Sequence, residues 1–270
     1  MSVHENYHLS LFGVTESNDK ADISVLPVPW DLTCSYGTGS ASNLEAIVEA
    51  SAQLDFWDPE CPNALDQGVH VMAPDTVIHS FNTSHRERAN EIYHYFDQQV
   101  DCPAELKSIL AKINKASQDV TARVQSSVRH CVDQSQFPIV LGGEHSVSLG
   151  AINAMAERYP SFGILQWDAH MDCRAGYAGF EYSHASVMYY ASKCSAVTDI
   201  IQVGIRDCCQ EEVTYASTCT DAQFAVFYDA DIAAGLFEGR TWASYCEQIV
   251  VACPDHVYIS CDIDGFNPSL

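Results

Sequence analysis

The sequence predicts an α/β fold built on a mostly parallel sheet covered by helices on both faces. Three observations carry this reading. Short β-branched apolar runs alternate with longer segments whose apolar residues recur at helical spacing. From Phe137 to Cys261 the alternation is regular, and repeated strand–helix units of this length make parallel pairs with crossover helices. The 270 residues, 47 % of them hydrophobic, are ample for one large core, and no repeat, low-complexity tract or linker divides them. Residues 1–270 therefore read as a single domain.

The elements follow in order. Asp22–Pro29 reads as a strand entering a Pro-rich turn, and Trp30–Ser42, rich in Gly, Ser and Thr, as a loop. Asn43–Phe56 reads as a helix with Asn43 as its N-cap. Val69–His79 is an apolar, β-branched segment; Ser84–Phe96 and Glu105–Asp133 are helical. Strands are then expected at Phe137–Leu141, Phe162–Trp167, Asp199–Val203, Gln223–Tyr228 and His256–Cys261. Helices are expected between them at Ser146–Tyr159, His184–Ser192, Glu211–Ser217 and Trp242–Cys253.

Charge removes whole classes of function. Thirteen Lys and Arg stand against 36 Asp and Glu, a formal net charge of 13 − 36 = −23. Nucleic acid and anionic membrane surfaces both require clustered basic residues, so neither is an expected partner. A cationic ligand is favoured instead. No stretch reaches the roughly 18–20 apolar residues of a spanning helix. Residues 1–13 lack the basic and apolar regions of a signal peptide, so a cytoplasmic location is expected. Twelve cysteines are scattered without a C-x-x-C pair and read as reduced thiols, with Cys131, Cys253 and Cys261 as small core residues.

Ligand sites of parallel sheets lie at the carboxyl ends of strands. Three predicted strand ends carry chemistry: Gly142-Gly143-Glu144-His145-Ser146, Asp168-Ala169-His170-Met171-Asp172 and Asp262-Ile263-Asp264. If the three strands are neighbours, two His and four Asp converge. Four close carboxylates repel, and divalent cations resolve the repulsion. Imidazole with carboxylates suits Mn²⁺, Fe²⁺ or Ni²⁺ better than a thiolate-preferring structural zinc. Six ligands exceed one open site, and a binuclear centre about 3.5–4 Å across fits the count.

These three segments in this order resemble the signatures of the ureohydrolases, the arginase–agmatinase family. Ser35-Tyr36-Gly37-Thr38-Gly39, Glu49-Ala50-Ser51 and Tyr182-Ser183-His184-Ala185 extend the resemblance over most of the chain, closer to agmatinase-like members than to arginases proper. The resemblance implies a three-layer α/β/α sandwich around a central parallel sheet, assembled as a homo-oligomer, a trimer or hexamer. It implies two Mn²⁺ ions, one held by His145, Asp168, Asp172 and Asp262, the other by Asp168, His170, Asp262 and Asp264, with Asp168 and Asp262 bridging. It implies His184 as a proton shuttle or substrate contact, and protonating the departing amine then calls for a general acid, Asp264 or another metal-bound carboxylate. The substrate implied is a cationic guanidino compound, agmatine or similar, cleaved to urea and an amine. Alternatives within the class are arginine, guanidinobutyrate, formimidoylglutamate, or free guanidine with Ni²⁺. A catalytically silent subunit and a fold-related metal-dependent deacetylase stand outside it.

Three departures from the family pattern bear on these expectations. Family members continue well beyond the residue matching Asp264, with further helices and a last strand, so the C-terminal part of the fold is expected to be missing here. Glu144 and Asn267 each stand where many members have Asp; the first is expected to be tolerated, and the second, in a turn beside the metals, to reshape the pocket.

Overall fold

The computed structural model describes residues 10–13, 21–55, 57–63, 66 and 68–266. The Asn267–Pro268 turn, Phe56 at the end of the first predicted helix, and residues 1–9 lie outside the described residues. The chain falls into two compact units that divide between Val147 and Ser148. Each unit is built on its own parallel sheet.

In the first unit the sheet order is β2-β1-β3, from β1 (Ile23–Val28), β2 (Val69–Val71) and β3 (Phe137–Gly142). Alternation along β1 places Val25 with Val69 and Val71, and Leu44, Ile47 and Val48 of α1 (Leu44–Ser51) pack there. Asn43 takes helical φ and ψ and makes no cap bond, so it does not cap α1 as expected. β2 is far shorter than the predicted Val69–His79 segment. The Asp75 carboxylate accepts from the amides of Val77 (2.8 Å) and Ile78 (3.2 Å), which starts α2 (Thr76–Asp97) eight residues before the predicted Ser84. Arg123 of α3 (Ala104–Asp133) pairs with the same carboxylate at 2.9 Å, and α3 packs along α2, β1 and β3.

In the second unit the order is β6-β5-β4-β7, from β4 (Phe162–Trp167), β5 (Val197–Ile205), β6 (Gln223–Tyr228) and β7 (Val257–Cys261). Adjacent residues on the central strand β5 face opposite ways. Ile200 joins a core with Ile152 of α4 (Ser148–Arg158) and with Val187 and Met188 of α5 (Val187–Ser192). Val213 of α6 (Gln210–Thr218) packs on that side as well. Ile201 and Val203 instead meet Ile232 of α7 (Asp229–Phe237) and Tyr245 and Ile249 of α8 (Trp242–Ala252). This unit is thus the expected three layers, helix on sheet on helix. The α7 helix escapes sequence reading because it follows β6 with no turn between them and, after Asp231, offers no polar residue to mark a helical period.

Among the described strands β3 and β7 are edges, carrying exposed Phe137, Ile139, Val257 and Ile259. None of the twelve cysteines is in a disulfide, as expected of reduced thiols. Cys131 is buried, but Cys253 is half-buried and Cys261 exposed, so Cys261 is not a core residue. No helix among the described residues is long and apolar enough to cross a membrane.

Candidate metal centre

Two of the three predicted strand ends are neighbours. The β4–β7 register pairs Trp167 with Cys261, so Asp168 and Asp262 leave the sheet side by side, and the Asp262 amide donates to the Trp167 carbonyl at 2.8 Å. The third, β3, belongs to the other sheet and pairs with β1.

In the second unit Asp168, His170 and Asp264 each bring a ligand atom within 4.8 Å of the others. Asp172 brings a carboxylate oxygen within the same distance of Asp168, so Asp168 stands between the two groups. Asp168 is 1 % exposed and tightly held. Its Oδ1 accepts from the His170 amide at 2.7 Å, and its Oδ2 from Gln166 Nε2 at 2.7 Å. The first bond folds the chain back, so residues 168–172 do not run on as an extended strand; Asp172 sits at φ 52° in the left-handed region. The Asp172 carbonyl accepts from the Met188 amide at 2.9 Å, tying this bend to the start of α5.

Asp262 begins a 3-10 turn over Ile263–Gly265, and its Oδ1 accepts from the Asp264 amide at 3.3 Å. Asp264 Oδ1 reaches back to the Ala169 amide at 3.2 Å. His170 Nδ1 lies 3.1 Å from Asp264 Oδ2 and 3.6 Å from Asp168 Oδ1. Bonding to Asp168 and then to Asp264 pushes the His170 pKa up to about 11, against the effect of its burial. The carboxylates that hold a proton on this nitrogen would equally hold a metal ion there, and one imidazole with carboxylates is a donor set suited to Mn²⁺, Fe²⁺ or Ni²⁺. His170, Asp168, Asp264 and Asp172 therefore fit a divalent cation centre.

His184 opens a short 3-10 turn, His184–Ser186, ahead of α5, half-buried and edge-on to Tyr177 at 6.1 Å. Trp30 and Phe180 are fully buried packing residues, whereas Tyr36 is 99 % exposed. Arg174 is engaged: its guanidinium lies over Tyr177 at 4.9 Å and its Nε lies 3.4 Å from Glu212.

Sequence reading passed over Gln166 and Gln202. Both are fully buried, and they form a chain in which Gln202 Nε2 donates to Gln166 Oε1 at 2.7 Å and Gln166 donates to Asp168. The available signal was an amide set among the apolar residues of each strand, the first two positions before Asp168 and so on its face.

In the first unit His145 is buried at the start of the 3-10 turn that follows β3. Glu144 beside it accepts from the Thr33 amide (2.8 Å), the Thr33 hydroxyl and the Ser146 hydroxyl (2.6 Å). Burial raises its pKa from the usual 4.5 to about 7, although the Ser146 and Thr33 donors pull it back. The folded state thus binds this proton more tightly than the unfolded one. Its stabilising contribution is fully present below pH 4.5 and is lost as pH rises through about 7. Glu144→Gln removes the titration. Unfolding of the two proteins in EDTA at pH 5 and pH 8 should diverge by roughly 3 kcal/mol, wild type losing more on going to pH 8. Parallel pH profiles would show that Glu144 titrates normally.

A model of the arginase family matches residues 21–270. The chain is 27 % identical over 255 residues to the N(1)-aminopropylagmatine ureohydrolase of Synechocystis sp., covering 92 % of this chain and 68 % of that relative. It is 24 % identical to the agmatinase of Bacillus cereus, covering 94 % of this chain and 71 % of the relative. Among solved structures, the agmatine ureohydrolase of Thermoplasma volcanium aligns with a TM-score of 0.66 at 21 % identity, over 99 % of this chain and 74 % of that one. The Trypanosoma cruzi formiminoglutamase, solved with Mn²⁺, aligns with the same TM-score at 16 % identity, over 95 % and 74 %.

Proposed function

This chain belongs to the arginase family, and from that premise we propose that it hydrolyses a cationic guanidino compound to urea and an amine. The observation that carries the proposal is the gathering of Asp168, His170 and Asp264 at the adjoining ends of β4 and β7. We assign two Mn²⁺ to the centre, with Ni²⁺ as the alternative metal. Asp172 and Asp262 complete the ligands of the second unit, and His145 joins them on the strength of its motif. Bound cations supply Lewis acidity and lower the pKa of a water at the site.

The chain's own residues do the rest. Asp168 and Asp262 orient the ligand set through the bonds that fix their carboxylates. Asp264, whose side chain is 47 % exposed, receives a proton on Oδ2 and returns it to the departing amine as general acid. His184 exchanges the site's other protons with solvent, as an imidazole is suited to do near neutral pH.

The substrate reading favours agmatine or a larger polyamine derivative of it over arginine. Relatives carry the names agmatinase and aminopropylagmatine ureohydrolase, substrates with a second cationic amine. The net charge of −23 suits such a cation. Recognising a carboxylate needs a spare Arg or Lys, and both Arg174 and Arg206 are already engaged. A cytoplasmic homo-oligomer completes the reading.

Urea release by the protein loaded with Mn²⁺ or Ni²⁺ tests it, across agmatine, N(1)-aminopropylagmatine, arginine, guanidinobutyrate and guanidine. Urea from agmatine or its aminopropyl derivative is expected; no urea from any of them with metal bound overturns the activity. His184→Ala should keep its metal content while urea release falls by about 10²-fold, as for loss of a general acid–base group. An emptied site would show that His184 holds the metal rather than protons.

A further inference from the structure

The dipeptide Arg206-Asp207, just after β5, carries no part of the mechanism so far, yet it touches both arms of the cluster. The amides of Arg206 and Asp207 both donate to the Ala169 carbonyl, at 2.9 and 3.0 Å, and His170 and Asp207 face each other across an isolated parallel bridge. This docks the end of β5 against the β4 loop. The Asp207 side chain then lies with Oδ2 3.5 Å from His170 Nε2, the ring nitrogen opposite the one that meets Asp168 and Asp264.

Arg206 reaches the other arm. Its guanidinium donates to the carbonyls of Asp264 and of Gly265 (3.3 Å), and to Gly204 of its own strand (3.1 Å). From the other side the turn presses on β4, since a Cβ on Gly265 would stand 2.8 Å from the Asp168 amide nitrogen and 2.9 Å from its Cα. The turn carrying Asp264 is therefore gripped between Arg206 and the backbone of Asp168.

We propose that Arg206 and Asp207 are positioning residues of the metal centre. Asp207 accepts the Nε2 proton of His170 and so leaves Nδ1 as the metal-facing lone pair, while Arg206 holds the Asp264 carboxylate in register with it. A ligating histidine ordinarily gives its second ring proton to a carboxylate or carbonyl, which fixes tautomer and ring orientation. The 3.5 Å separation is an ion-pair distance, and an 82 % exposed side chain on a docked backbone has the freedom to close it. The inference rests on the proposed divalent cation centre, but not on the substrate or on hydrolysis.

The test is Mn²⁺ titration of the full chain, with free Mn²⁺ read by electron paramagnetic resonance. Asp207→Ala should weaken Mn²⁺ binding by about tenfold, the lower end of what such outer partners contribute. Asp207→Glu should recover most of the loss, and melting in EDTA should be unchanged for both. Arg206→Met should also weaken binding. Binding by Asp207→Ala equal to wild type overturns the proposal, as does failure of Asp207→Glu to rescue it. A drop in metal-free melting that tracks the lost affinity would make the role merely structural. Wild type that binds Mn²⁺ but releases no urea removes the ureohydrolase reading and leaves this one standing. Wild type that binds no divalent cation removes both.

Discussion

Asp168→Ala should empty the centre of metal and lower urea release by on the order of 10³-fold, the scale of a lost electrostatic element in a preorganised site. Asp168 is the residue common to both ligand groups of the second unit, one with His170 and Asp264, the other with Asp172. Removing it takes a donor from each at once. The substitution also strips the Gln166 Nε2 donor of its 2.7 Å acceptor, leaving only the longer bond to the His170 carbonyl at 3.2 Å. A buried donor left short in this way costs roughly 1–3 kcal/mol, so stability must be followed alongside activity. Asp168→Asn separates the two effects. The amide keeps the shape and an acceptor for the His170 amide, but it carries no charge to hold a cation. Metal content by elemental analysis and unfolding in EDTA should therefore show Asn nearer wild type in stability and nearer Ala in metal. Wild-type metal content in Asp168→Ala would remove Asp168 from the ligand set.

The second large effect is expected at Gly143. A Cβ built there would lie 1.9 Å from the Trp30 carbonyl oxygen, 2.8 Å from the Trp30 carbonyl carbon and 2.9 Å from the Val28 oxygen. These are backbone atoms of the chain leaving β1, and they cannot swing aside as a side chain can. The same stretch is bonded to the Gly143 segment: the Gly143 amide donates to Val28 O at 3.1 Å and the Glu144 amide to Trp30 O at 2.8 Å. Gly143→Ala must break these bonds or part the ends of β1 and β3. The expected loss is about 3 kcal/mol, the upper end of ordinary overpacking. Gly142→Ala is the control. Its Cβ would crowd only a side-chain atom, the Val147 Cγ2 methyl at 2.8 Å, and a smaller loss of about 1 kcal/mol is expected. Denaturant midpoints decide the matter: Gly143→Ala no worse than Gly142→Ala would mean that the backbone yields there readily.

Around Gly143 the sequence is unevenly legible. The Gly142-Gly143-Glu144-His145 run was legible as a strand end, because a glycine pair after an apolar strand marks a turn. That Gly143 is needed for the passage of Trp30 was not legible, since the two residues are far apart in the chain. The long helix Ala104–Asp133 is visible from its periodicity, and its predicted start, Glu105, is one residue off. The start of α2 was missed because Val77 and Ile78 are apolar and β-branched, and only the Asp75 cap turns them into a helix. Gln166 and Gln202 were hidden inside strands read from their apolar residues.

The candidate ligand side chains and the parallel α/β class were legible in the sequence itself, because local periodicity and residue chemistry act over a few neighbouring positions. Which strand ends meet was left to the tertiary structure. β4 lies against β7 on one side and β5 on the other, so it is Asp168, His170 and Asp264 that gather, with Arg206 and Asp207 arriving from β5. Strand adjacency depends on pairing between segments dozens of residues apart, and no periodicity within either segment encodes its neighbour. The grip on the cluster comes from that pairing, since a carbonyl at residue 264 and a guanidinium at residue 206 meet only when the sheet has formed.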